Sequence, residues 1–410
     1  MGHVMIDRVP VWGEPDAGAV EQIKRCFEDK EVAAAALMGD HHLGYAMPIG
    51  GVVAYHGMVS PSGVGYDIAC GNKAVRLDMT GDELRKDIKK VMDMVYREIS
   101  FGVGRKNQED VDHELFDDDT WDLVDSLRIR VPRCRDLKQL ARQQLGTVGS
   151  GNHYVDLFVD EQDRVWVGVH FGSRGLGHKL ATFFVQKGGG ADGMHVKPVV
   201  LHESSYLGAE YIRCMQLAGR YAYAGRDWVC QKVARLLKTK IVEEIHNHHN
   251  FAWKETHVVD GSELELWVVR KGATPAFPGQ RGFVGGSMGD NSVILEGVDA
   301  PESKAALRST VHGAGRVMSR TKAAGKKRWS KQAGGFVRVS GGEISREMMM
   351  EWVDGKGVEL RGAGTDESPQ CYKRLDEVLA HHGPTVKIIH TLTPVGVAMA
   401  GEDEFDPYKD

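Results

Sequence analysis

Six residues that can bind metals or carry out group transfer are spread from position 67 to position 312, each in a short phrase rich in glycine or in other polar residues. The phrases are Gly65-Tyr66-Asp67-Ile68-Ala69-Cys70-Gly71, Gly149-Ser150-Gly151-Asn152-His153, Val169-His170-Phe171-Gly172-Ser173-Arg174-Gly175, His248-His249-Asn250 and His312-Gly313-Ala314-Gly315-Arg316. Glycine beside a polar side chain marks strand ends and turns, where backbone approaches a ligand closely. A fold that gathers these phrases into one site must interleave both halves of the chain. We therefore expect one interwoven α+β domain over residues 1–410. No Pro/Ser-rich linker, repeat or low-complexity segment divides the sequence.

Glycine makes up 50 of the 410 residues, about 12% against a usual level of roughly 7%. The excess concentrates in these phrases, which read as site-building loops. With 42% hydrophobic and 27% charged residues the chain has the composition of an ordinary globular protein,. The six cysteines (Cys26, Cys70, Cys134, Cys214, Cys230, Cys371) form no CxxC pair. The opening residues lack the apolar core of a signal peptide, and the myristoylation pattern fails at Ile6,. No apolar run approaches the roughly 18 residues of a membrane span. These features predict a reducing, cytoplasmic setting, no membrane association, and cysteines buried mostly as small hydrophobes.

Thr80 followed by Asp82 and Glu83 predicts a helix start. Leu84, Ile88, Val91, Val95 and Ile99 then recur at helical spacing over roughly 82–100,. A longer helix is expected over about 204–239, with Tyr211, Met215, Ala218 and Ala222 on one face. Strands are expected at 51–55, 165–169, 264–269 and 386–390. The acidic stretch 102–120 reads as an exposed loop. The net charge of -5 does not mark a nucleic-acid binder, but seven basic residues from Arg316 to Lys331 include no acid between them. That run is either a solvated face or, from its place after His312, a phosphate-contacting surface.

Asp67 and Cys70 lie three apart, close enough to ligate one metal, and a thiolate can bridge two. Alone, such a cysteine is more often a buried hydrophobe, and a lone histidine such as His153 is more often structural. His170 ends an apolar strand, where α/β folds place ligands. In the cluster His246, His248 and His249, a period of two puts the first two on one face and His249 on the other. Zinc is the default metal for such donors, followed by manganese or iron. His312 resembles a nucleophile on a glycine turn. The loop Gly285-Gly286-Ser287-Met288-Gly289-Asp290-Asn291-Ser292 could cradle a phosphate or ribose, though it fits neither a Walker nor a Rossmann fingerprint.

Taken in order, these phrases resemble the RtcB RNA-splicing ligase family. The resemblance starts at Asp40-His41-His42-Leu43-Gly44 with Pro48-Ile49-Gly50-Gly51 and runs to Leu392-Thr393-Pro394-Val395, essentially the whole chain. It implies that family's distinctive α+β fold around a deep cleft with two manganese ions. One ion would be held by Asp67, Cys70 and His153. The other would be held by Cys70, His170 and His249, with the thiolate bridging. His312 matches the histidine that takes GMP from GTP. Asn152, His153, Asp156, His249, Asn250, Gly286, Ser287, Met288, Ser292, Gly313, Ala314 and Gly315 match positions around the nucleotide, and Tyr372 matches a guanine-side contact. The implied reaction joins a 2′,3′-cyclic phosphate or 3′-phosphate RNA end to a 5′-hydroxyl end, in tRNA splicing or RNA repair, and allows for an activating protein partner. Arg174 and Arg316 are natural anchors for RNA phosphates.

The chain also departs from the family pattern. A terminal lysine that touches the guanine is missing from Val397-Ala398-Met399-Ala400-Gly401, Gly285 replaces a proline, and Asp156 stands where glutamate is usual. These changes bear on nucleotide selectivity and mark a divergent paralogue. A dinuclear-metal phosphoesterase acting on cyclic phosphate ends would need the metals but not His312. A non-catalytic RNA-end binder would need neither.

Overall fold

The computed structural model describes residues 2–330 and 335–402, so Lys331 of the basic run lies outside the described residues. The chain is α+β and its strands form two principal sheets. The first runs, in spatial order, His3–Ile6, Val9–Trp12, Val32–His42, Ile49–Tyr55, Ser262–Lys271 and Asn250–Val259. The second runs Ile241–His248, Gly71–Thr80, Arg164–Phe171, Tyr154–Asp160, Val386–Gly401, Ser292–Gly297 and Arg281–Val284. A further strand, Glu359–Ala363, lies parallel to Val386–Gly401. Most neighbours are antiparallel, and the spatial order repeatedly departs from the chain order, so both halves of the sequence enter both sheets.

Strand Ile241–His248 ends as an edge of the second sheet, and Asn250–Val259 begins as an edge of the first. His249 is the one residue between them. It sits where the chain crosses from sheet to sheet.

The helix Tyr206–Leu236 packs across both major cores. Ser205 caps it by accepting from the Gly208 amide. Tyr211, Met215, Ala218 and Ala222 are buried among the aliphatic residues of the first sheet, and Val229, Cys230 and Val233 among those of the second. Full burial of each larger side chain is worth about 1.5–3 kcal/mol.

The predicted helix at 82–100 is two helices, Gly81–Lys86 and Ile88–Glu98, which meet at Asp87 with φ −127°. Aspartate competes with the helix for local hydrogen bonds, and its carboxylate here takes the Lys90 ammonium at 2.8 Å,. The predicted start holds as a reciprocal cap between Thr80 and Glu83. The expected strands lie inside Ile49–Tyr55, Arg164–Phe171, Ser262–Lys271 and Val386–Gly401. The last is three times its predicted length, because Gly396 and Pro394 sit at an irregularity in register rather than at an end,. In the acidic stretch Leu115 and Phe116 are buried, which pins an otherwise exposed loop. Five of the six cysteines are buried, Cys134 is half-buried, and none is in a disulfide.

Candidate functional site

The turn Asp67–Cys70 precedes strand Gly71–Thr80 and is tied to the sheet crossover by backbone bonds. The Cys70 carbonyl accepts from the His249 amide (2.8 Å) and the Asn250 amide (3.2 Å), and the Asn250 carbonyl accepts from the Ala69 amide (2.7 Å). His153 stands at the entry to Tyr154–Asp160, and His170 is the penultimate residue of the neighbouring strand, directly across from Tyr154. Four chain segments thereby deliver five donors to one point. Cys70 Sγ lies 3.3 Å from His170 Nε2 and 3.6 Å from His153 Nε2. His170 Nε2 lies 3.3 Å from His249 Nε2, and Asp67 Oδ2 lies 3.1 Å from His153 Nε2.

These contacts fit a cation better than a hydrogen-bond network. His170 Nδ1 faces the Asn152 carbonyl at 3.1 Å, which can only accept, so Nδ1 carries the proton and Nε2 presents its lone pair,. His249 Nδ1 is buried with no partner, while its Nε2 points at that same lone pair. His153 Nδ1 lies between the Val148 carbonyl (3.0 Å) and the Arg174 guanidinium (3.1 Å). Burial, followed by the neighbouring Asp67 carboxylate, pushes the Cys70 thiol well up. Burial likewise holds His170 and His249 well below the usual imidazole value. Asp67 is ionised, because the His153 bond and charge, with Arg174, outweigh the effect of its burial. The set is soft and hard together, with one sulfur central to it, as a thiolate-bridged metal pair requires.

His312 follows strand Ser309–Val311, and its ring centroid lies 4.8 Å from that of His249. Asp40, buried in Val32–His42 of the first sheet, grips this turn through one oxygen. Oδ2 accepts from His312 Nδ1 at 2.6 Å, from the His312 amide at 3.0 Å and from the Gly313 amide at 3.3 Å. Burial pushes the Asp40 carboxyl up, but the charge and bonds of His312 pull it below the ordinary carboxylate range. With Nδ1 as donor, Nε2 of His312 is left as the nucleophilic nitrogen. Gly315 has φ +79°, and a Cβ there would stand 2.3 Å from the Asp40 carbonyl oxygen, so this approach requires glycine,.

A cavity of about 310 Å³ opens onto these residues. Asn152, Asp156, Asn250, Gly286, Ser287, Met288, Gly313, Ala314, Gly315 and Tyr372 all line it, as do the five donors and His312. Asn250 is held on both sides, its Nδ2 donating to the Asp67 carbonyl and its Oδ1 accepting from the Gly272 amide. Asp156 is buried, which pushes its carboxyl well above the usual range, and its Oδ1 has no partner.

The structure corrects three expectations. Ser292 does not line the cavity. Its Oγ accepts from the Gly286 amide at 3.0 Å, so it shapes the glycine loop from behind and takes up an N–H expected to be available. Arg316 lines the cavity, but its nitrogens are held by Glu367, the Tyr372 hydroxyl and the carbonyls of Met318 and Asp366 rather than standing free. Arg320 also turns inward to Glu367 at 2.8 Å. The start of the basic run therefore builds the cleft wall that pins Tyr372, rather than a solvated face.

Sequence reasoning gave no role to Asp40, His42 or Lys271. His42 and Lys271 line the cavity. Burial pulls the Lys271 ammonium down to about 8 and His42 down to about 4. Asp40 and His42 sat in a quoted motif, whereas nothing distinguished Lys271 from any other lysine. Met399, in the stretch that lacks the lysine, lines the cavity. Two lysines elsewhere in the C-terminal part of the chain do not supply the ammonium: Lys373 bonds the Gly39 and His41 carbonyls, and Lys387 is exposed opposite Glu296.

Comparison with known proteins matches this sequence to one group. A family model described as tRNA-splicing ligase RtcB matches residues 22–400. The tRNA-splicing ligase RtcB of Thermococcus kodakarensis is 30% identical, over 95% of each chain. The RNA-splicing ligase RtcB of Escherichia coli is 31% identical, over 94% of each chain. The tRNA-splicing ligase RtcB of Archaeoglobus fulgidus is 30% identical, over 93% of this chain and 90% of that one.

Proposed function

Because the chain belongs to the RtcB family, we propose that it is a GTP- and manganese-dependent RNA ligase, working as one domain over residues 1–410. It joins 2′,3′-cyclic phosphate or 3′-phosphate ends to 5′-hydroxyl ends. The observation that carries this reading is the Asp40–His312 pair set beside the five-donor cluster. A dinuclear-metal phosphoesterase, in which metal-activated water attacks, does not require an oriented histidine nucleophile with a free Nε2.

In this reading Asp67, Cys70 and His153 would hold one manganese ion, and Cys70, His170 and His249 would hold the other. When bound, the ions neutralise the charge that builds on a phosphate under attack. His312 Nε2 attacks the α-phosphorus of GTP, the N–P bond forms as the bond to pyrophosphate breaks, and Asp40 holds the imidazolium-like ring that results. Asn152, Asp156, Asn250, Gly286, Ser287, Met288, Gly313, Ala314, Gly315 and Tyr372 surround the nucleotide, with Ser292 behind the loop. The glycine turn at 313–315 leaves room for the nucleotide to approach the ring. Water first opens a 2′,3′-cyclic phosphate to a 3′-phosphate; an oxygen of that 3′-phosphate attacks the GMP phosphorus as the bond to His312 Nε2 breaks, and the 5′-hydroxyl, giving up its proton, then attacks the RNA 3′-phosphorus as GMP leaves. Arg174, with Nη1 3.1 Å from His153 Nδ1, supplies positive charge behind the donors rather than in the cavity.

Among the described residues no helix is long and apolar enough to cross a membrane. A cytoplasmic location is part of the same proposal, supported by six unpaired cysteines,.

The test uses two RNA strands, one ending in a 2′,3′-cyclic phosphate and one beginning with a 5′-hydroxyl, with GTP and manganese. The proposal expects a joined product that disappears without GTP. Opening of the cyclic phosphate without joining, whether or not GTP is present, would favour the phosphoesterase instead.

A further inference from the structure

One buried side chain stands behind the five donors and touches none of them. Arg226, on helix Tyr206–Leu236, has no exposed surface. Its Nη1 donates to the carbonyls of Ala69 (3.0 Å) and Phe171 (2.5 Å). Its Nη2 meets His248 Nδ1 at 2.9 Å, and its Nε donates to His246 Nε2 at 2.7 Å. Three of these four partners adjoin a proposed ligand. Ala69 precedes Cys70, Phe171 follows His170, and His248 precedes His249.

The three segments come from a turn, a strand end and the crossover between sheets. Backbone bonds already tie them, since Gly71 pairs with both Phe171 and His248 and the Cys70 carbonyl accepts from the His249 amide. The guanidinium adds a side-chain clamp across all three, because it is planar and its donors point in fixed directions. The sequence makes room for it at Gly71, where a Cβ would lie 3.1 Å from Nη1 and 2.2 Å from the Asn247 carbonyl oxygen. His246 and His248 occupy the strand face opposite His249, with Tyr223 packed against both. A buried guanidinium is costly, and an apolar side chain of similar size could fill the same space in the helix packing without that cost. Its retention at the meeting point of three ligand-bearing segments calls for a role beyond packing.

We infer that Arg226 is a positioning residue for the metal centre, its planar fork holding the segments that carry Cys70, His170 and His249 so that their donors converge. The inference rests on the proposed reading that these residues bind metal ions. Groups that hold ligands from behind typically contribute ten- to hundredfold in metal affinity, by about that order.

The test is a cobalt(II) titration of the metal-free full chain, followed by the thiolate-to-cobalt charge-transfer band and by thermal melting. The wild type is expected to show the band. Arg226→Lys keeps the charge and loses the fork, and is expected to bind cobalt about ten- to a hundredfold more weakly with a diminished band. Should Arg226→Lys fail to fold, His246→Phe removes one acceptor on the side away from the ligands, and a smaller weakening in the same direction is expected. Arg270→Lys is the structural control. That guanidinium is equally buried but is held by Glu255, Ser309 and the Leu307 carbonyl, so its loss should lower the melting temperature and leave cobalt affinity unchanged. A folded Arg226→Lys or His246→Phe with wild-type cobalt affinity and band would overturn the inference. A wild-type protein without the band would overturn the metal reading, and the inference with it.

Discussion

Asp40→Asn removes a charge while leaving the shape of the His312 turn in place, and the structure says how far each should matter. Three donors converge on Oδ2: the His312 ring and the amides of His312 and Gly313. Oδ1 is buried without a partner. An asparagine will therefore place its amide oxygen where the three donors point and its NH2 in the partnerless position. The ring keeps its Nδ1 proton and its free Nε2. Only the charge that stabilises the ring during attack on GTP is lost, and a hydrogen bond to a charged group is worth about 1.5–3 kcal/mol. Transfer of GMP to the protein should slow about ten- to a hundredfold, at about 1.4 kcal/mol per factor of ten. Asp40→Ala is harsher. It also strands two buried backbone amides, at about 1–3 kcal/mol each, and frees the ring to change tautomer. The assay is single-turnover labelling with GTP carrying a radioactive α-phosphate, read beside a melting curve. Wild-type labelling by Asp40→Asn would refute the electrostatic role. A loss near ten-thousandfold, the scale seen when a triad histidine is left in the wrong tautomer, would refute the claim that the backbone donors fix the amide.

Three further outcomes follow from the site. Cys70→Ala should lose bound manganese at both positions while Cys26→Ala, buried far from the cluster's donors, should not; two ions retained in Cys70→Ala by metal analysis would exclude the bridge. Met399 offers no donor to a guanine, so the protein should show measurable labelling by ATP, and Met399→Lys should shift preference to GTP by about ten- to a hundredfold; strict GTP selectivity unchanged in the variant would show that another group reads the base. Burial raises the Asp156 carboxyl in the folded state above its unfolded value, so its contribution to stability is greatest at low pH and is lost as pH rises towards the folded value,. Asp156→Asn should therefore raise the melting temperature at neutral pH, with the gain shrinking below about pH 4, and an equal effect at both extremes would contradict the assignment.

The five clustered side chains were legible in the sequence because each lies at a strand end or turn that glycine and polar residues announce. Period two was applied to His249 as if it continued the strand, whereas His249 lies beyond Ile241–His248 at the crossover, so its separation from His246 and His248 comes with the change of sheet. Asp40 was not legible as the orienting group, because its partner lies 272 residues away and the fold alone brings a strand of one sheet to the His312 turn. The solvated-face alternative for the start of the basic run failed for the same reason: Arg316 and Arg320 both line the cavity. A run of basic residues carries no sign of the buried Glu367 that draws both inward. Ser292 came in as a nucleotide contact through the family resemblance alone, and the place of its hydroxyl behind the glycine loop, bonded to the Gly286 amide, is set by the fold. Helix limits followed the caps, as at Thr80 and Ser205, and failed at Asp87, where a single aspartate interrupts an otherwise continuous apolar face.

The central claim is that His312 carries the guanylyl group, and covalent labelling tests it most directly. The protein would be incubated with manganese and GTP labelled at the α-phosphate, denatured, and digested to locate the label. The account predicts an acid-labile, alkali-stable label on the peptide containing His312, absent from His312→Ala while the metal content of that variant is unchanged. Wild-type labelling of His312→Ala, or a label on any other residue, would contradict it.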